Sequence, residues 1–193
     1  MITLSTNKID GLWFAAALNE SGEIIHTGFS PSKSMLMEEI IKRDTSTKIQ
    51  RDDSEGQRVQ GILGKLIRGE DADLAVRINI DSATAFQRSV YNALRRVPRG
   101  KVSTYSMLAK ATGRKRAARA VGNCVASNPL PLIIPCHRIV LSSLKIGGYS
   151  IPGLDKIKAR QLKRKILTAE GVEFEGEKVA LRCLWKPTAE HRD

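Results

Sequence analysis

Gly100-Lys101-Val102-Ser103-Thr104-Tyr105-Ser106-Met107-Leu108-Ala109-Lys110-Ala111-Thr112-Gly113-Arg114-Lys115-Arg116-Ala117-Ala118-Arg119-Ala120-Val121-Gly122-Asn123 reads as a helix-turn-helix. Ser103 or Thr104 can cap a first short helix whose Met107, Leu108 and Ala111 face inward, and Gly113 supplies the turn. The second helix is expected to begin near Lys115. It combines positive charge with missing bulk: Lys115, Arg116 and Arg119 stand among Ala117, Ala118, Ala120 and Gly122. Small residues allow close approach to a nucleic-acid backbone, and Arg119 is the one long side chain among them. The same composition also suits a solvated basic helix packed through its alanines.

Downstream, Leu130-Pro131-Leu132-Ile133-Ile134-Pro135-Cys136-His137-Arg138-Ile139-Val140 sets a thiol, an imidazole and a guanidinium inside an apolar run. Positive charge nearby favours the thiolate and can draw a cysteine below its free pKa of about 8.5. Neighbours in an extended strand point to opposite faces, so Cys136 and His137 can share a cavity only in a turn. Pro135 favours one by fixing φ and removing a donor. An inert core cysteine is the competing reading of the segment taken alone.

The formal charge of +12 is segregated along the 193 residues. Residues 1 to 85 hold 10 Lys and Arg against 13 Asp and Glu, whereas residues 86 to 193 hold 22 against 7. A near-neutral half joined to a strongly basic one has the electrostatic footprint of a nucleic-acid binder. No apolar run approaches the roughly 18 to 20 residues that span a bilayer, and no signal-peptide pattern opens the chain, so a membrane partner is not expected. Three cysteines, at 124, 136 and 183, form no even framework and fit a reducing cytoplasm, or a nucleus in a eukaryote. The thiols are too scattered for a zinc site, and no cofactor is expected.

Two domains are expected, an N-terminal α/β domain over 1–81 and a mostly helical domain over 82–193, giving an α+β fold with an antiparallel sheet. In the first, Gly11 to Leu18 and Glu23 to Phe29 read as a hairpin about Asn19-Glu20-Ser21-Gly22. Helices are expected over 34–43 and 56–68, a strand over 75–80, and a polar loop over 44–55. In the second, Phe86, Val90, Ala93, Leu94 and Val97 form one helical stripe, ended by Pro98-Arg99-Gly100. A last helix over 155–169 carries six basic residues around Ile157, Leu162, Ile166 and Leu167. Its charges read as a solvated face or as an extension of a DNA-facing surface.

From Phe86 to Val140 the chain resembles the C-terminal domain of the O6-alkylguanine-DNA alkyltransferases. The motifs Phe86-Gln87-Arg88-Ser89-Val90-Tyr91, Pro98 to Tyr105, Ala117-Ala118-Arg119-Ala120-Val121-Gly122, Asn128-Pro129-Leu130-Pro131 and Ile134-Pro135-Cys136-His137-Arg138 keep that family's order and spacing. Gly148-Tyr149-Ser150 and Ala169-Glu170-Gly171 continue it less tightly, so about half of the chain is covered. In the family pattern glycine follows the Tyr-Ser pair and leads into the last helix, whereas here Ile151-Pro152-Gly153-Leu154-Asp155 intervenes.

The resemblance implies a reaction and a cast. An alkyl group on guanine O6 passes once and irreversibly to Cys136, with His137 accepting the thiol proton through a water and Glu170 fixing the imidazole. Tyr105 donates to the departing guanine and Asn128 braces the turn. Backbone groups of Cys136, Ile139 and Ser150, with Val125 and Tyr149 as walls, bound the base pocket. The partner is double-stranded DNA containing O6-alkylguanine, met by a monomer through Ser103, Thr104, Tyr105, Lys115, Arg116, Ala117, Ala118, Arg119, Ala120 and Gly122. The damaged nucleotide is turned out of the stack and Arg119 fills the gap. Some family members hold zinc in the N-terminal domain. Here that domain has no cysteine and one histidine, His26, so zinc is not expected. Two other functions stay open: a binding module that recognises alkylated DNA without accepting the group, though such proteins lack the cysteine found at 136, and a helix-turn-helix transcriptional regulator.

Overall fold

A computed structural model describes residues 2–43, 47–49 and 54–187, with backbone only at 47–49. It divides into two compact units.

The first unit holds residues up to Ile80 together with Pro129–Ile133 and Ser150–Ala159. Its sheet is built from β1 (Ile2–Ile9), β2 (Leu12–Leu18), β3 (Ile24–Ser30) and β4 (Thr47–Ile49), in the order β3-β2-β1-β4. β1 and β2 form a hairpin, Thr3 opposite Leu18 and Ile9 opposite Leu12. It turns at Asp10 and Gly11, both at positive φ (50° and 82°), as a tight two-residue turn with the twist of its strands requires. β4 runs parallel to β1, so the sheet is mixed rather than purely antiparallel, and part of the stretch read as a polar loop is a strand. The remainder of 44–55 lies outside the described residues, Ser54 and Glu55 excepted.

Helix α1 (Lys33–Arg43) sets Leu36 and Ile40 against Ile2, Leu4, Ala15 and Ala17. Helix α2 (Ser54–Ile67) buries Val59, Ile62 and Leu63 and donates from Gln60 Nε2 to Ser5 Oγ at 2.8 Å. Leu4 and Ser5 point to opposite faces of β1, so the two helices cover opposite sides of the sheet. The strand expected over 75–80 shrinks to a single parallel bridge between Ile78 and Ile24. Thr27 receives the chain again at 129–131, its N–H donating to Pro129 O (2.9 Å) and its hydroxyl to Pro131 O (3.1 Å).

The second unit comprises Asp81–Asn128, Ile134–Tyr149 and Arg160–Asp193. Domains drawn as two unbroken spans therefore differ from the packing, because the chain visits the first unit twice on its way. Helix α3 (Ala85–Arg95) opens with a capping box in which Thr84 and Gln87 satisfy each other's backbone N–H. Strand β5 (Ser103–Thr104) leads into α4 (Tyr105–Ala111), then a turn and α5 (Ala118–Ala126). A 3-10 turn over Cys136–Arg138 precedes β6 (Ile139–Val140), which pairs in parallel with β5, Ser103 beside Ile139. Helix α6 (Lys156–Ala169) is followed by a small hairpin, β7 (Phe174–Glu175) and β8 (Lys178–Val179).

Candidate active site and nucleic-acid face

Everything reactive gathers around the parallel pair β5–β6. The pair sets Ser103 beside Ile139, so the turn that carries Cys136 leads into one strand and α4, which begins at Tyr105, leaves the other, and Tyr105 lies near enough to Cys136 to interact with it electrostatically. Asn128 spans the excursion between them, its Nδ2 donating to Ile134 O at 2.8 Å while its amide also hydrogen-bonds the Cys136 sulfur. Cys136 and His137 sit in the 3-10 turn and are 8% and 1% exposed.

The charges arrange themselves differently from the sequence expectation. Arg138 does not face the thiol. Its guanidinium makes two bonds to Glu170, Nε to Oε2 at 3.0 Å and Nη2 to Oε1 at 2.8 Å, and a third to Val97 O at 2.8 Å. Burial raises the Cys136 pKa, outweighing the Asn128 hydrogen bond, the Lys163 ammonium and the backbone N–H groups of Cys136 and His137. The group is thus a thiol in the resting protein, not the thiolate its sequence neighbours suggested.

Glu170 and His137 form a fixed pair. Burial acts to raise the carboxyl of Glu170, but hydrogen bonds from His137 and Arg138, with the charge of Arg138, hold it at about 2. Burial keeps the His137 ring neutral against the opposing pull of Glu170. A neutral ring beside an ionised carboxylate, His137 Nε2 to Glu170 Oε1 at 2.9 Å, carries its proton on Nε2. Nδ1 therefore presents a lone pair, and it is buried without a partner.

Sequence reasoning missed Lys163. It is 1% exposed, donates to Ile139 O at 2.6 Å and lies 5.7 Å from the Tyr149 ring centre. Burial lowers its pKa to about 8, partly offset by Cys136. A signal was present: Ala159, Lys163, Ile166, Leu167 and Glu170 recur at helical spacing on the buried stripe. Ile157, read as part of an apolar stripe, is 71% exposed instead.

The remaining residues fall as follows. Tyr149 is half-buried with its hydroxyl enclosed and unpartnered, and its pKa is raised by burial and then by Cys136 and Glu170. Tyr105 is raised by burial and Cys136. Val125 is half-buried on α5 and Ile139 buried in β6. Ser150 is exposed and opens the segment that packs with the first unit. Ser103 and Thr104 are at most 3% exposed. Thr104 caps α4, accepting from Met107 N at 3.3 Å.

The second helix begins at Ala118 rather than near Lys115. Lys115, Arg116 and Ala117 belong to the turn, which lines a shallow open cleft from Gly113 to Ala117. Gly113 takes φ 74° there, a conformation that suits glycine. Arg119 and Ala120 are exposed, while Ala118 and Gly122 are half-buried. Among the described residues no group of three or more His, Cys, Asp or Glu could hold a metal ion, and no helix is long and apolar enough to cross a membrane.

The sequence model described as 6-O-methylguanine DNA methyltransferase, DNA binding domain, matches residues 85–172. A methylated-DNA--protein-cysteine methyltransferase of Archaeoglobus fulgidus is 40% identical over 110 residues, 57% of this chain and 71% of that protein. Another of the same name, from Thermococcus sibiricus, is 33% identical over 141 residues, 72% of this chain and 73% of that one. Among solved structures, Mycobacterium tuberculosis OGT in complex with DNA shares the fold, with a TM-score of 0.69 at 23% identity over 88% of this chain and 92% of that chain. The O6-methylguanine DNA methyltransferase of Methanococcus jannaschii aligns with a TM-score of 0.60 at 27% identity, covering 91% and 99%. By sequence, fold and the residues gathered around its buried thiol, this chain belongs to the methylated-DNA--protein-cysteine methyltransferase family.

Proposed function

We propose that Cys136 is the acceptor, served by the residues packed around it. The chain repairs DNA by taking the alkyl group of O6-alkylguanine onto a cysteine of its own. The observation that carries the assignment is the His137 ring, anchored to Glu170 through Nε2 and left with a buried, unpartnered Nδ1. A thiol that burial keeps protonated needs such a base as it attacks. Its proton passes to Nδ1 directly or through a bridging water, the S–C bond forms, and the C–O6 bond breaks. The Tyr105 hydroxyl donates a hydrogen bond to the departing guanine as it gains negative charge, and the Lys163 ammonium steadies the sulfur's transient charge.

Residues 82–193, apart from the stretches 129–133 and 150–159 that pack into the first unit, are read as the DNA-binding and alkyl-transfer domain, with 1–81 as the N-terminal α/β domain. The pair α4–α5 serves as a helix-turn-helix whose basic turn and exposed Arg119 face DNA, with Arg119 occupying the place of the extruded nucleotide. The exposure of Arg119 and the small residues around it support this reading. The protein acts as a monomer.

The test is incubation with duplexes with and without O6-methylguanine, followed by intact-mass measurement and peptide mapping. One methyl group on the peptide containing Cys136, from the damaged duplex alone, is expected. Cys136→Ser should bind the duplex as the parent does and gain no mass. Binding without mass gain by the parent would instead indicate a recognition protein, and binding confined to one operator sequence a regulator.

A further inference from the structure

Residues beyond Val172 lie past the end of the family's sequence match, yet they are built into the second unit's core. Val179, Ala180 and Cys183 share one apolar cluster with Val102, Val140 and Leu167. Val102 stands just ahead of β5 and Tyr105, Val140 closes the strand after Cys136–Arg138, and Leu167 lies about one helical turn before Glu170.

Two sets of bonds leave this segment for the neighbourhood of Tyr105. The first holds Val102 on both sides: its N–H donates to Cys183 O at 2.9 Å and its carbonyl accepts from Trp185 N at 2.7 Å. Lys101 Nζ adds a tie to Arg182 O at 2.9 Å. The second holds the turn after β6. Val179 N–H donates to Leu144 O at 2.9 Å, Lys178 bridges Lys145, and Lys145 pairs with Glu177 at 3.0 Å. Leu144 has φ 64°, a conformation costly to a branched side chain that persists only where its surroundings impose it. That turn delivers the chain to Gly147, where a Cβ would stand 3.5 Å from the Tyr105 hydroxyl.

We propose that the segment from Phe174 to Trp185 is a positioning element for Tyr105. It clamps Val102 behind the residue and the Leu144 turn beside its hydroxyl, and so sets the rate of alkyl transfer rather than the affinity for DNA. The inference rests on reading Tyr105 as the donor to the departing base. Misplacement of a reacting group by about 1 Å is enough to slow a step about a hundredfold.

The test uses the full chain with free O6-benzylguanine as alkyl donor, which needs no DNA. Trp185→Pro removes the N–H that meets Val102 O, whereas Trp185→Ala removes the indole and keeps the bond. Trp185→Pro should transfer about tenfold more slowly than Trp185→Ala, with affinity for undamaged duplex equal in the two. In a Tyr105→Phe background the same pair should differ by less than about twofold, because the group being positioned is gone. Equal rates for Trp185→Pro and Trp185→Ala, or an undiminished difference in the Tyr105→Phe background, would overturn the proposal. Tyr105→Phe transferring as fast as the parent would overturn the reading of Tyr105 itself, and with it the proposal. Should Trp185→Pro show no cooperative melting, the exposed change Lys101→Met cuts the tie to Arg182 O alone. It should slow transfer about threefold with Tyr105 present and not without it, and an unchanged rate overturns the proposal.

Discussion

At the scale of single residues, the site shifts Cys136, His137, Lys163 and Glu170 away from their ordinary pKa values. Glu170 is the anchor. Its folded-state pKa of about 2 lies below its ordinary value, so its ionised form stabilises the protein fully above the unfolded value of about 4.3. That stability is lost as pH falls from there toward 2. The shift corresponds to roughly 3 kcal/mol, so melting temperature should drop steeply between about pH 5 and pH 2, and Glu170→Gln should flatten the drop. A parent and variant with parallel acid profiles would show that the carboxylate is not ionised in this pair. Lys163 makes the opposite case. Enclosing an ammonium costs several kcal/mol and orphaning the Ile139 carbonyl about 1 to 3. Lys163→Met should therefore melt at or above the parent temperature while slowing transfer about tenfold or more. A variant that melts lower and transfers normally would make Lys163 purely structural.

At the scale of elements, helix propensity and capping were legible and sheet edges were not. The stripe from Phe86 to Leu94 announces α3 in sequence, and the structure adds the Thr84/Gln87 box that opens it. β1 announces little, since Thr3, Ser5, Thr6, Asn7 and Lys8 leave only three apolar residues, and its place is set by pairing with β2. The 75–80 stretch alternates like a strand, yet it meets the sheet only at Ile24, so the ladder never propagates. The start of α5 was misplaced because Ala117 caps without a side-chain bond, leaving no sequence mark. The reactive triplet was legible as a cluster but not as a circuit: adjacency put Arg138 beside Cys136, whereas the turn sends it to Glu170, 32 residues away. For α5 itself the expected outcome concerns Arg119. Arg119→Ala should slow transfer from duplex DNA by about tenfold or more and transfer from free O6-benzylguanine hardly at all, since only a duplex leaves a vacancy to fill. Equal slowing on both would give Arg119 a packing task.

At the scale of the whole molecule, charge and reaction order set the behaviour. With 22 basic against 7 acidic residues after position 85, affinity for duplex should fall steeply with salt and vary little with sequence. A salt-insensitive complex would mean that phosphates are not the main contact. The transfer itself ends in a thioether, which has no good leaving group. Excess alkylated DNA should therefore stop the reaction at one group per protein, and recovery of unmodified protein after many turnovers would refute the mechanism. The added group enters a packed interior, where overfilling typically costs about 1 to 3 kcal/mol. The alkylated protein should melt below the free form, and an unchanged temperature would show that the pocket holds the group without strain.

The enclosure of Cys136 has one more consequence. A molecule that works once carries its whole capacity in a single sulfur, and any stray electrophile that reached it would spend that capacity on nothing. Thiolates react with such compounds far faster than thiols do. At 8% exposure, with burial holding its proton in place, Cys136 is insulated from them until a substrate of the right shape brings the reacting carbon to it. What delays the sulfur's activation also preserves it, so the number of lesions a population of these molecules can still clear stays close to the number of molecules made.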